Sequence, residues 1–187
     1  MYSDALTAGV TPGGLNSRTE IRVLICYILD NIKEPIALER LKERLHFDGI
    51  ANYFEVAFAI TDLEENGNIG VFEEENGLKF YVATGDCSEI SKALGNSVPF
   101  SVRERSLEIA NQVIERRRNQ RNNKVNKEKT EFGVYVTCSV MDNELTLASI
   151  SILVPDDETA NTVVDNFLND PIKVLLKATE GLTGTKI

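Results

Sequence analysis

The chain has 187 residues, 42% apolar and 26% charged, with a formal net charge of −9, the composition of one globular domain or two small ones. No apolar run approaches the roughly 20 residues that span a bilayer, and one His with three scattered cysteines excludes a Cys/His zinc centre. The charge is uneven: residues 1–99 carry 8 basic and 16 acidic side chains, residues 100–130 carry 9 and 4, and residues 131–187 carry 3 and 9. Two acidic bodies thus flank one basic segment, and an anionic partner would be met in the middle.

In chain order, the Gly-, Pro-, Ser- and Thr-containing leader 1–15 is expected to be disordered. It lacks the basic start and apolar core of a signal peptide. Together with Cys26, Cys87 and Cys138 read as reduced, small packing residues, this points to the cytoplasm. Segment 17–33 has apolar residues at Ile21, Leu24, Ile25, Ile28 and Leu29, the spacing of an amphipathic helix, with Ser17 and Glu20 placed as a capping box. Segment 37–46 predicts a second helix on Leu38, Leu41 and Leu45, with His46 at its C-terminal end, where a cation suits the helix dipole. Segment 50–66 predicts a third, stopped by Gly67. Residues 68–72 and 78–83 read as two strands of a hairpin with Asn76-Gly77 as its turn signal.

After the hairpin come a short helix over 86–94 and a longer one over 101–121, whose apolar face carries Val102, Leu107, Ile109, Ala110, Val113 and Ile114. The polar, basic stretch RNNKVNKEKT that follows reads as a loop or linker. Residues 131–141 and 144–154 are β-rich runs joined at Asp142-Asn143, an antiparallel hairpin too small to stand alone in water; it must pack on helices or on a second copy. Helices are expected over 156–169, capped by Asp156, and over 171–182.

The fold expected is therefore α+β. It comprises a disordered leader (1–15), a winged helix of three helices and a two-stranded wing (16–99), a connecting helix and basic linker (100–130), and a C-terminal hairpin-plus-helices unit (131–187). The stretches EIRVLICYILDNIKEPIALERLKE, ANYFEVAFAITDLEENGNI and VPFSVRERSLEIANQVI resemble the bacterial domain-of-unknown-function family 4364, from about residue 16 to the end. The resemblance implies a winged-helix N-terminal part and a source of the Gram-positive type; it implies no activity and transfers no catalytic residue.

In a DNA-binding winged helix the third helix enters the major groove with polar or basic side chains outward. Here, with Tyr53, Val56, Ile60 and Leu63 turned inward, the outward face holds Asn52, Phe54, Glu55, Phe58 and Asp62, and no Arg or Lys occurs from 50 to 66. Glu73, Glu74 and Glu75 at the wing tip add further repulsion toward phosphates. Phe54 and Phe58 then form an apolar patch for a partner, unless a one-residue shift of helix phase buries them. Arg116, Arg117, Arg118, Arg121, Lys124, Lys127 and Lys129 crowd 14 residues opposed by Glu128 alone, either a solvated linker or a phosphate-contacting arm.

Two functions remain open. The first is a dimeric regulator of transcription that binds double-stranded DNA through Arg116, Arg117, Arg118, Arg121 and Lys124, helped by Arg40, Lys42, Arg44, Arg18 and Arg22. The second is a winged helix used for protein contacts through Phe54 and Phe58, without DNA. The prevalence of DNA binding among bacterial winged helices tips the expectation toward the first. No phosphate-cradling Gly loop and no catalytic constellation is present in the sequence, so neither an enzyme nor a cofactor is expected.

Overall fold

The computed structural model describes residues 5–75 and 77–186. The chain forms two compact units, Met1–Val113 and Ile114–Ile187. Unit 1 holds α1 (Arg18–Ile32), α2 (Leu38–Phe47), α3 (Tyr53–Glu65), an antiparallel hairpin of β1 (Ile69–Glu73) and β2 (Lys79–Ala83), and α4 (Gly85–Leu94). The unit boundary falls inside α5 (Phe100–Asn122). Unit 2 continues with β3 (Lys124–Thr130), β4 (Gly133–Asp142), β5 (Leu145–Val154), α6 (Asp157–Asn169) and α7 (Pro171–Thr183). The architecture is mixed α+β, and the expected order of three helices followed by a hairpin is present. No helix among the described residues is long and apolar enough to cross a membrane.

α1 is the core of unit 1. Its buried residues, Ile21, Val23, Leu24, Ile25, Cys26, Ile28 and Leu29, run around much of its circumference because α3 and α4 both pack on it. Each such Leu or Ile contributes about 1.5–3 kcal/mol by leaving water. Ser17 is the N-cap of α1, but its side chain makes no cap bond, so the expected capping box does not form. Between α1 and α2, the Ile36 N–H donates to the Tyr81 carbonyl (3.1 Å) and the Tyr81 N–H to the Ile36 carbonyl (3.0 Å). That bridge pins the helix pair to β2. Asn76 of the expected turn lies outside the described residues, while Gly77 takes the positive φ (+80°) that the turn requires.

The leader departs from expectation where it is described. Residues 5–15 lie over the α2–α3 corner, with Leu15 fully buried. The Thr11 N–H donates to the Gly49 carbonyl (2.9 Å), and the Leu15 N–H to the Ile50 carbonyl (2.8 Å). Gly9, at φ +83°, lets the backbone rest on the His46 ring; a Cβ there would collide with it. Composition signals disorder, but satisfied backbone groups and a buried leucine hold this segment in place.

Unit 2 is a three-stranded antiparallel sheet in the order β3-β4-β5. The stretch expected to be a linker is therefore a strand: Lys124–Thr130 pairs along β4 from Lys124↔Ser139 to Thr130↔Gly133. One face packs α6 and α7 around Val134, Val136, Cys138, Val140, Val154, Ala160, Phe167 and Leu168, with Val125 the contribution of β3. The other face is mixed: Thr137 bonds Ser151 (2.7 Å) and Ser139 bonds Ser149 (2.8 Å) across β4 and β5, and the exposed Tyr135 and Leu153 pair beside them. A bulge between Val140 and Met141 shifts the register toward the hairpin end. The Asp156 carboxylate caps α6 by accepting from the Thr159 N–H (2.7 Å), as expected.

Candidate functional site

α3 is positioned from both ends. At its start the Asn52 carboxamide accepts from the Phe54 N–H (2.9 Å) and donates to the Ala8 carbonyl (2.7 Å), joining the cap to the leader. At its end Gly67, at φ +71°, turns the chain into β1. Val56, Ala59, Ile60 and Leu63 form the buried face, while Tyr53, expected to be core, is only half-buried. Phe54 and Phe58, one turn apart, face outward with 59% and 62% of their surface accessible. The helix phase read from the sequence places these two rings correctly. Phe54 leans edge-on against Tyr53, with ring centroids 5.5 Å apart and planes at 88°.

The acidic residues of α3 correct the expected picture. Glu55 is not on the outward face; it is buried, and it accepts from Arg18 through Nε (2.9 Å) and Nη2 (3.3 Å) and from the Leu6 N–H (3.0 Å). The Arg18 hydrogen bonds hold its carboxyl below the ordinary carboxylate range against the opposing effect of burial. Asp62 meets Arg22 at 2.7 Å. Arg18 and Arg22, one turn apart on α1, thus meet the two carboxylates two turns apart on α3. A groove of about 310 Å³ runs here between α1 and α3, lined by these four residues with Phe58, Ala59, Thr61 and Glu65. Glu64 accepts from the Tyr81 hydroxyl (3.2 Å) and lies 3.6 Å from Lys79. Burial and the Glu64 charge push the Tyr81 hydroxyl up to about 12.

The candidate cations of α2 are held within unit 1. Lys42 is buried, with Nζ 2.6 Å from Glu39 and 4.6 Å above the Tyr53 ring. Burial works against its charge, but Glu39 and Tyr53 outweigh it and raise its pKa. Arg40 lies 3.4 Å from Glu43. Arg44 lies 3.5 Å from Asp48 and donates to the Gln112 carboxamide (3.1 Å).

In unit 2 the basic run does not form one arm. Arg116 is turned onto α6, where it bonds the Asp165 carboxylate and carbonyl and the Asn169 carboxamide. Strand alternation then splits the lysines. Lys127 and Lys129 share the helix-facing side with Val125; Lys127 donates to Asn161 (2.8 Å) and Lys129 pairs with Asp157. Lys124 stands exposed on the opposite face, beside Ser139. Arg118 and Arg121 are exposed at the end of α5, and Arg117 is half-buried.

All three cysteines are free and buried, and the Cys87 thiol donates to the Cys26 carbonyl (3.7 Å) where α4 meets α1. Sequence reasoning missed the Arg18–Glu55 pair and the leader contacts. Both link residues at least 37 positions apart, and only the fold brings them together.

These features define a two-unit α+β protein whose third helix presents aromatic rings on a surface with little free positive charge. A family model described as a domain of unknown function, DUF4364, matches residues 21–181. The chain belongs to that family. No curated protein matches the chain, and no solved structure matches it.

Proposed function

We propose that unit 1 is a winged-helix domain used to dock a protein, and that the chain acts by binding rather than by catalysis. The order of three helices and a hairpin, with Ile36 bridged to β2, supports the winged-helix reading. The observation that carries the docking reading is the outward pair Phe54 and Phe58 on a helix without Arg or Lys. Exposed aromatic pairs one turn apart are anchors for an apolar partner surface. Phosphates find no neutralising charge there, since Arg18 and Arg22 are engaged by Glu55 and Asp62. A cytoplasmic location fits the buried free thiols.

The test replaces Phe58 by a photo-crosslinking phenylalanine analogue in living cells. A discrete protein adduct is expected at position 58, and its loss when Phe54→Ser is added. Adducts to nucleic acid instead of protein would sink the docking reading.

A second reading, DNA binding by a regulator of transcription, is favoured by the exposure of Arg118, Arg121 and Lys124. A salt series with random-sequence duplex separates the two. Micromolar binding that weakens steeply with salt and is lost in Arg118→Gln/Arg121→Gln/Lys124→Gln supports DNA; absence of binding at low salt removes it.

A further inference from the structure

Two of the three cysteines meet where α4 crosses α1. The Cys87 thiol lies 3.7 Å from the Cys26 carbonyl, and the two thiols are hydrogen-bonded to each other. Two further contacts hold these helices close. The Ser88 hydroxyl donates to the Asp30 carboxylate (2.7 Å), and Gly95, the C-cap of α4, lies so near Tyr27 that a Cβ would stand 3.3 Å from the ring. The two sulfurs are not equivalent. Cys87 sits in the first turn of α4, where unpaired backbone N–H groups favour a thiolate, whereas Cys26 lies in the middle of α1. Their mutual hydrogen bond lowers the Cys87 pKa against burial and the Asp30 charge; the same bond and burial raise that of Cys26.

We infer that Cys26 and Cys87 are an oxidation site: hydrogen peroxide closes a disulfide between them, and the bond locks α4 onto α1 until a thiol reductant opens it. The Cys87 thiolate attacks one peroxide oxygen; the O–O bond breaks, and the second oxygen leaves as hydroxide and takes up the proton that Cys87 released. Cys87 is then a sulfenic acid. The Cys26 sulfur attacks the Cys87 sulfur, the S–S bond forms, the S–O bond breaks, and the departing hydroxide leaves as water with the Cys26 proton. Two thiols and one peroxide thus give one disulfide and two waters. Both thiols are fully buried, so the oxidant enters by local opening of α4. Little holds that helix down: Cys87 and Ser91 are its only buried residues, and Leu94 at its end is 46% exposed. Once formed, the bond spans 61 positions of sequence and ties this weakly held helix to the core of unit 1. Cys138, the cysteine of unit 2, has its thiol pushed up by burial alone and serves as the internal comparison.

Mass spectrometry of the full, reduced wild-type chain exposed to hydrogen peroxide tests this. The chain is expected to lose the mass of two hydrogens, and its digest to contain one linked pair of peptides carrying Cys26 and Cys87; dithiothreitol should reverse both. The bond should form at least about tenfold faster than oxygen adds to Cys138. In the oxidised chain, amide exchange of residues 85–94 should slow by about tenfold or more and recover on reduction. Cys26 and Cys87 that stay open to alkylation after peroxide treatment and denaturation overturn the inference, and so do thiols that only gain oxygen. A disulfide that joins two chains or uses Cys138 overturns it equally. Exchange of residues 85–94 that oxidation leaves unchanged overturns the lock.

Discussion

Arg18 of unit 1 and Arg116 of unit 2 meet their carboxylates in opposite surroundings. In unit 1 the Arg18 guanidinium covers a carboxylate that has no contact with water, so the pair is part of the packing between α1 and α3. In unit 2 Arg116 lies on the outside of α6, and Lys129 and Asp157 meet with both side chains more than half exposed. A tally of charges along the chain treats these cations alike. Their energetic weight depends on how far the partner carboxylate is from water.

That contrast can be broken by removing one cation at a time. Arg18→Ala has the largest expected effect, on the order of 2 kcal/mol after allowing for the half-exposed guanidinium, because it strands the buried Glu55 carboxylate. Urea unfolding measures it, and a loss below a few tenths would contradict a structural role for the pair. The pH dependence sharpens the point. Glu55 has a lowered folded pKa, so its contribution is complete above the ordinary carboxyl value of 4.5 and is lost as pH falls through the folded value. The gap between wild type and Glu55→Gln should stay constant from neutrality down to about pH 5 and close only in stronger acid. Thermal unfolding from pH 7 to pH 3 reads this; a gap that closes near neutrality would assign it to another group.

Arg116→Ala should cost about 1 kcal/mol, from hydrogen bonds to α6 that water partly replaces. Lys129→Ala should cost about 0.5 kcal/mol or less, and that difference should vanish in molar salt. Phe54→Ser with Phe58→Ser should leave the unfolding midpoint within experimental error, because neither ring is packed in the core. A clear drop in stability would instead make the two rings structural.

Where burial follows from period, the fold was legible in the sequence. The apolar spacing of 17–33 and 50–66 located α1 and α3, and it correctly left Phe54 and Phe58 outward. β3 was misread because only Val125 of its seven residues enters the core. The period-2 signal of this edge strand rests on one side chain among polar neighbours. Glu55 was misplaced for a different reason. It sits next to Val56 at the margin of the buried face, and its inward turn depends on Arg18, 37 residues earlier. The leader gave a disorder signal because its anchors are mostly backbone groups, which leave no trace in composition.

The leader also sets an order of events. Leu6 reaches Glu55 across 49 positions, Ala8 reaches Asn52 across 44, and Thr11 reaches Gly49 across 38. Contacts of such long separation must wait until the intervening chain has been brought together. On the ribosome, this segment emerges before the helices that will receive it and remains undocked until α3 has been synthesised. A nascent chain halted before residue 55 should therefore leave residues 5–15 open to protease, and a chain released beyond the hairpin should close them.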